Sequence, residues 1–420
     1  MVRGPRALLL ADLVRLDRVG SGSSGSSGSV ASWAAAVGEV RAAVAELRVR
    51  TDAQAAWLGA LGAALGSPAA LRPLARLQDV TLETLDGCLG RLAASPPPPR
   101  PGGAAGAPVP PVLYATARDM QGCNSMHAAF EATLVEALTP HRGALLGGGA
   151  APSRAVGRVL ACRVAQSVLL RQVQRTCALG ARALEGTGLP PGHDGAPALV
   201  AVYGSPGALA DGLRALLDGS AAEARTVCER TYGHAPEIAV DVAVREAGGG
   251  GGPAAGFEAE LRLVPSHLAH VANELMKNAL EASLRGRGAE GVRVVATVHG
   301  DAVDVEVADD GPGVADDRLR TAFDFLASSS GVSAIAGTDA ERGGHVSGGR
   351  YHVQPPLSGL GVGLAISRAL VGHFGGTLAL ANDVARGRGA VASVRLPLRA
   401  AAQAESWTDG AGEHAMGSGM

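Results

Sequence analysis

The stretch VRVVATVHGDAVDVEVADDGPGV (292–314) most constrains the fold, because its apolar residues recur at every second position. That period belongs to a strand with one face in a core, and the break at HGD marks a hairpin. A half-buried hairpin needs a covering layer. The flanking sequence supplies helical patterns without strict strand–helix alternation, so the expected architecture is an α+β sandwich rather than a doubly wound sheet. Asp309 shares the parity of Val303, Val305 and Val307 and is therefore expected to point inward. An inward carboxylate costs several kcal/mol unless it finds a donor. Two donors fit: the exocyclic amine of an adenine entering beside the Gly311–Pro312–Gly313 turn, or a backbone amide of that turn capped by the aspartate.

Upstream, HLAHVANELMKNALEAS (267–283) reads as an amphipathic helix. His270, Glu274, Lys277, Asn278 and Glu281 fall on one side at spacings of four, seven, eight and eleven. Leu268, Val271, Leu275, Ala279 and Ala282 fall on the other. The polar side is either a solvated face or a site. Asparagine is a mediocre helix former but a good neutral oxygen ligand for Mg²⁺, and Lys277 is the sole lysine in a chain whose other basic residues are arginine. Downstream, SGLGVGLAISRALVGHFGGTLAL (358–380) places Gly359, Gly361 and Gly363 just before a helix. Bare amides and the positive helix end suit phosphate oxygens there. The preceding GRYHVQPPLS is a poor strand, so the context of a dinucleotide-binding fold is missing.

Length and charge set the remaining bounds. The 420 residues allow two or three domains, and a net charge of -2 offers no basic field for nucleic acid or an anionic membrane. No apolar run reaches the ~20 residues of a membrane span. Residues 1–30 read as an amphipathic organelle-targeting peptide or a disordered tail. Residues 31–192 read as a helical bundle of four-helix type, interrupted by the proline-rich loop 95–111. Residues 193–400 hold the mixed strands and helices, and 401–420 form a tail. The five cysteines show no metal-ligand spacing and read as reduced thiols.

The order of helix, strand-terminal aspartate with its glycine turn, and glycine-rich helix start resembles the GHKL nucleotide-binding superfamily. SHLAHVANELMKNALEAS, ARTVCERTYGHAP, RVLACRVAQSVLLRQV and GLGVGLAISRALVGHFGG are similar in particular to the mitochondrial pyruvate dehydrogenase kinases and branched-chain 2-oxo acid dehydrogenase kinases. The resemblance implies an ATP- and Mg²⁺-dependent protein-serine kinase of the mitochondrial matrix. It implies Glu274 as general base, His270 orienting it, Asn278 holding the metal and Lys277 facing phosphates. Asp309, Gly311 and Gly313 would take the adenine. Ser328, Gly359, Leu360, Gly361, Val362, Gly363 and Leu364 would complete the ATP site, with 315–358 as a loop over it. The implied partners are the catalytic subunit of a 2-oxo acid dehydrogenase as substrate, the lipoyl domain of the complex core, and a second copy of the chain in a homodimer.

The sequence departs from that family at Glu281, where arginine is usual, and at Ala390, where a threonine commonly contacts phosphate. DDGPGV is closer to the turn of bacterial histidine kinases. A histidine kinase with an atypical acceptor helix and an ATP-binding pseudokinase therefore stand as alternatives.

Overall fold

The structure is a computed structural model that describes residues 30–95, 112–147, 150–185, 200–245, 261–286, 291–299, 302–327 and 361–398. The suggested targeting segment before residue 30, the proline-rich 96–111 and the tail 401–420 lie outside the described residues, as do Ser328, Gly359 and Leu360.

The N-terminal region is helical: α1 (Val30–Ala64), α2 (Arg72–Ala94), α3 (Val112–Met126), α4 (Phe130–Leu138), α5 (Arg142–Gly147) and α6 (Ala150–Glu185). The long α6 packs along α1 and α3, and α1 along α2. The helical patterning of 112–141 is divided by short 3₁₀ turns at His127–Ala129 and Thr139–His141. The bundle core is not purely apolar. Arg50 is fully buried, with Nη1 donating to the Ala165 carbonyl at 3.1 Å and Nε 3.1 Å from Glu46. Gln166 donates to Thr51 and Gln78, and Arg163 donates to the His127 carbonyl at 3.1 Å and faces Glu131 at 3.2 Å. Pairing of this kind is the condition for burying such groups at tolerable cost.

The C-terminal region is a sheet covered by helices. Strands β1 (Ala201–Tyr203) and β3 (Leu261–Leu263) pair as a small antiparallel ribbon. The main sheet is built from β2 (Ile238–Val244), β4 (Val292–Val298), β5 (Ala302–Asp309), β6 (Thr377–Asn382) and β7 (Ala390–Pro397), in the order β2-β4-β5-β7-β6. Only β2 and β4 run parallel. The β-like segments EIAVDVAV and ELRLV contain β2 and β3, which join different sheets, and β1 is only three residues long. Alternation holds as read: Val292, Val294, Ala296 and Val298 of β4 and Val303, Val305 and Val307 of β5 are all at most 3% exposed. Each such valine contributes about 1.5–3 kcal/mol by leaving water.

Helices α7 (Pro206–Tyr232), α8 (Pro265–Arg285) and α10 (Gly363–His373) cover this sheet. Helix α7 has well-defined ends. Ser205 accepts from the Ala208 amide at 3.1 Å, Pro206 occupies the first turn, and Gly233 closes the helix at φ 80. Helix α8 lies between α7 and α10, with Leu268, Val271, Leu275 and Ala279 buried as expected; Ala282, expected on the same apolar side, is only half-buried and lies at its edge, about 40° from Asn278. Helix α10 also touches α6, which joins the two regions. The expected loop from 315 begins instead with a helix, α9 (Asp316–Thr321), and continues to Phe325 and Leu326, both buried.

Candidate nucleotide site

Three parts of the C-terminal region meet along one row of α8. Glu274, Asn278 and Ala282 are spaced four apart and so share one face, at about 6 Å of axial rise per step. At the near end of the row, a Cβ placed on Gly363 would lie 2.2 Å from Glu274 Oε2. The first residue of α10 therefore rests on that carboxylate. At the far end, a Cβ on Gly311 would lie 2.8 Å from the Ala282 carbonyl oxygen. The turn after β5 therefore rests on the end of α8. Asn278, exposed, occupies the interval between the two glycine turns.

Asp309 is 7% exposed, at the end of a strand whose other inward residues are valines. Its Oδ1 accepts from the Gly311 amide at 2.8 Å and from the Ala390 amide at 3.3 Å. Both donors found among the described residues go to Oδ1, which leaves Oδ2 as an acceptor. Burial pushes the carboxyl above its ordinary range, against the pull of the two amides; the neighbouring Asp310 pushes the same way. The turn-capping reading of this aspartate therefore holds for one oxygen, and the ligand reading has the other available.

Several residues around Asp309 are not legible from local pattern. Gly389 adopts φ 78, and a Cβ there would fall 1.9 Å from the Asp309 carbonyl oxygen, so the chain passes at contact distance. Asn382 accepts from the Val314 amide at 2.7 Å and donates to the Val314 carbonyl at 2.8 Å, which fixes the far side of the Gly311–Gly313 turn. Asp310, 6% exposed, faces Arg386 at 2.8 Å and Arg388 at 3.8 Å. Ala390 offers its backbone amide to Asp309, and its methyl side chain carries no hydroxyl where the family commonly has a threonine.

At the other end of the row, Lys277 and Glu274 form a close ion pair, both side chains mostly shielded from solvent. His270, one turn before Glu274, is held below its ordinary range chiefly by burial; the Glu274 charge opposes this and Lys277 reinforces it. Its Nε2 is buried and meets no hydrogen-bond partner among the described residues. Gly361 takes φ 75 and closes flush on Ala327, with a hypothetical Cβ only 2.4 Å from the Ala327 carbonyl carbon. Val362 is buried and Leu364 packs against the core. Glu281, the residue that departs from the family pattern, pairs with Arg285 and lies near Cys228 and Tyr232 of α7. It lies on the same polar side of α8 as Glu274, two turns on, and its charge has a partner.

Residues 263–400 match the model of histidine kinase-, DNA gyrase B- and HSP90-like ATPases. This segment is a GHKL-type domain. A mitochondrial pyruvate dehydrogenase (acetyl-transferring) kinase of Ascaris suum is 28% identical over 165 residues, 38% of this chain and 35% of the relative. One from Arabidopsis thaliana is 31% identical over 161 residues, 37% of this chain and 38% of the relative. The chain thus spans little more than a third of the length of the curated relatives it matches. The catalytic domain of the histidine kinase ThkA is 15% identical and covers 49% of this chain and 99% of that one, with a TM-score of 0.30. At that score the likeness carries no argument. Within the GHKL-type domain, Gly363 meets Glu274 and Gly311, two residues after Asp309, meets Ala282, with Asn278 between Glu274 and Ala282 on the same helix.

Proposed function

We propose that the chain binds Mg²⁺-ATP along the Glu274–Asn278–Ala282 row and is a protein-serine kinase for the catalytic subunit of a mitochondrial 2-oxo acid dehydrogenase. One observation carries the reading: an exposed asparagine set between a glycine turn at a helix start and a buried acid with one free acceptor oxygen. An adenine amine supplies the donor that Asp309 Oδ2 lacks. The amides at the start of α10 suit phosphate oxygens. The named relatives are kinases of pyruvate dehydrogenase and are mitochondrial, and they favour this acceptor and a matrix location over other GHKL activities. Docking to a lipoyl domain of the complex core and homodimer formation belong to the same proposal.

The donor set fits magnesium. Asn278 presents a neutral oxygen to solvent, and among the described residues there is no group of three or more His, Cys, Asp or Glu that could form an all-protein cage. One protein ligand with phosphate and water oxygens completing the shell is the usual magnesium arrangement. Bound there, the metal neutralises charge on the transferring phosphoryl group.

Glu274 is placed to take the proton from an incoming serine hydroxyl as its oxygen bonds to the γ-phosphorus and the bond to the β-phosphate oxygen breaks, releasing ADP. Lys277, already beside Glu274, can turn its ammonium to the phosphates. His270, half-buried and one turn before Glu274, is the residue assigned to orient it. A histidine acceptor at His127 is disfavoured, since that residue is 1% exposed in the bundle. Against the pseudokinase alternative, the charge of Glu281 is paired with Arg285; the missing threonine hydroxyl at position 390 remains its ground.

Labelled ATP incubated with the full chain and each purified dehydrogenase subunit tests the reading. Acid-stable phosphoserine on a catalytic subunit is the expected product; acid-labile label on the chain itself, or tight nucleotide binding with no transfer, overturns it.

A further inference from the structure

One contact links the helical bundle to the glycine turn of the site. Arg142 Nε, at the first residue of α5, donates to the Leu326 carbonyl at 3.0 Å across 184 residues of sequence. Nothing in α5 itself calls for a cation there. A positive side chain at a helix N-terminus opposes the helix dipole, and α5 is only six residues long. The receiving end is also unusual. Leu326 is the only non-glycine with positive φ among the described residues, at 66, and its side chain is 3% exposed. That conformation is disfavoured for a residue with a Cβ and persists where surroundings over-determine it. Arg368 of α10 holds the same segment, donating to the Phe323 carbonyl at 3.2 Å.

The next residue, Ala327, is the backbone on which Gly361 closes, and Gly363 two residues on rests against Glu274. The contacts thus run without a gap from Arg142 through Leu326, Ala327, Gly361 and Gly363 to Glu274.

We propose that Arg142 is a positioning residue of the nucleotide site: by holding the Leu326 carbonyl it sets the height of the Ala327 peptide, and with it the Gly361–Gly363 turn. The inference rests on the reading of that turn as the phosphate side of an ATP site. It assigns part of the construction of that site to the bundle.

Calorimetric titration of the full chain with Mg²⁺ and a non-hydrolysable ATP analogue tests this on the wild type, Arg142→Ala, Arg142→Lys and Arg91→Ala. Arg91, exposed on α2, pairs with Asp119 of α3 on the bundle surface and controls for loss of a bundle arginine contact remote from the site. Losing one hydrogen bond to a charged donor corresponds to an affinity about tenfold weaker. Arg142→Ala is expected to show that loss, Arg142→Lys to stay within about twofold of wild type because its ammonium can still donate, and Arg91→Ala to bind as wild type. Thermal midpoints recorded in parallel show whether the two alanine variants are equally destabilised. Equal affinity in wild type and Arg142→Ala overturns the inference and leaves the ATP reading standing, as does equal weakening by Arg91→Ala and Arg142→Ala. No binding by the wild type overturns the ATP reading itself, and the inference with it.

Discussion

Gly363 and Glu274 are in contact with no room between them: a methyl group on the glycine would sit 2.2 Å from the carboxylate oxygen. The carboxylate is the end of a flexible side chain, so an alanine at 363 is accommodated by moving Glu274 off its bond with Lys277. Alanine is also the better helix former at this helical position. Gly363→Ala is therefore expected to keep the thermal midpoint within a few degrees while lowering phosphoryl transfer about 100-fold, the scale of an ångström-sized misplacement. Gly389 has the opposite character. Its φ of 78 and the 1.9 Å approach to the Asp309 carbonyl involve backbone on both sides, and Gly389→Ala is expected to destabilise by on the order of 2 kcal/mol or more. Thermal melts and transfer assays on the two variants separate the behaviours.

Glu274→Gln keeps the shape of the side chain and an oxygen for Lys277 but removes the base. Loss of a general base typically costs about 10² to 10⁴ in rate. Single-turnover transfer is expected to fall by that factor with nucleotide affinity changed less than about threefold; parallel loss of both would remove Glu274 from the role of base.

Asp309→Asn tests the adenine contact against the fold. The folded carboxyl titrates above its ordinary value of 3.8. The folded state therefore holds more protons in the interval above 3.8, and stability falls as pH rises through it. At pH 7 the ionised aspartate costs stability. The amide keeps an oxygen for Gly311 and Ala390 but turns a donor toward the adenine amine. The expected outcome is a thermal midpoint at pH 7 equal to or above wild type, with nucleotide affinity about 10- to 100-fold weaker. A folded variant with undiminished affinity would show that adenine is read elsewhere.

His127 makes the bundle acid-sensitive. Burial, with Arg163 nearby, lowers its imidazole to about 3 from 6.5, while its Nε2 lies 2.9 Å from Thr81 Oγ1. The unfolded chain takes up the proton first, so stability is full above pH 6.5 and is lost as pH falls from there toward 3. Between pH 6.5 and 5 this amounts to about 2 kcal/mol at ~1.4 kcal/mol per pH unit. His127→Gln is expected to flatten the fall of denaturation midpoint over that interval, whatever its stability at pH 7.

Much of this molecule follows from local period. Alternation in β5 set Asp309 among valines, the four-residue rhythm of α8 set Glu274 and Asn278 on one face, and glycines marked the start of α10. Each is a statement about where a side chain points relative to its own element, and backbone geometry alone decides that. The partners of those side chains are another matter. Ala390 reaches Asp309 across 81 residues, Asn382 reaches Val314 across 68, and Arg142 reaches Leu326 across 184. Those contacts depend on the strand order β2-β4-β5-β7-β6 and on which helix lies beside which, and no local pattern carries that information. Glu281 marks the boundary between the two. Its place on the polar side of α8 and its i,i+4 partner Arg285 are legible from spacing, but only the packing of α7 along that helix brings Cys228 and Tyr232 beside it, because the interaction between two charges or dipoles depends on the space between side chains and not on either one alone.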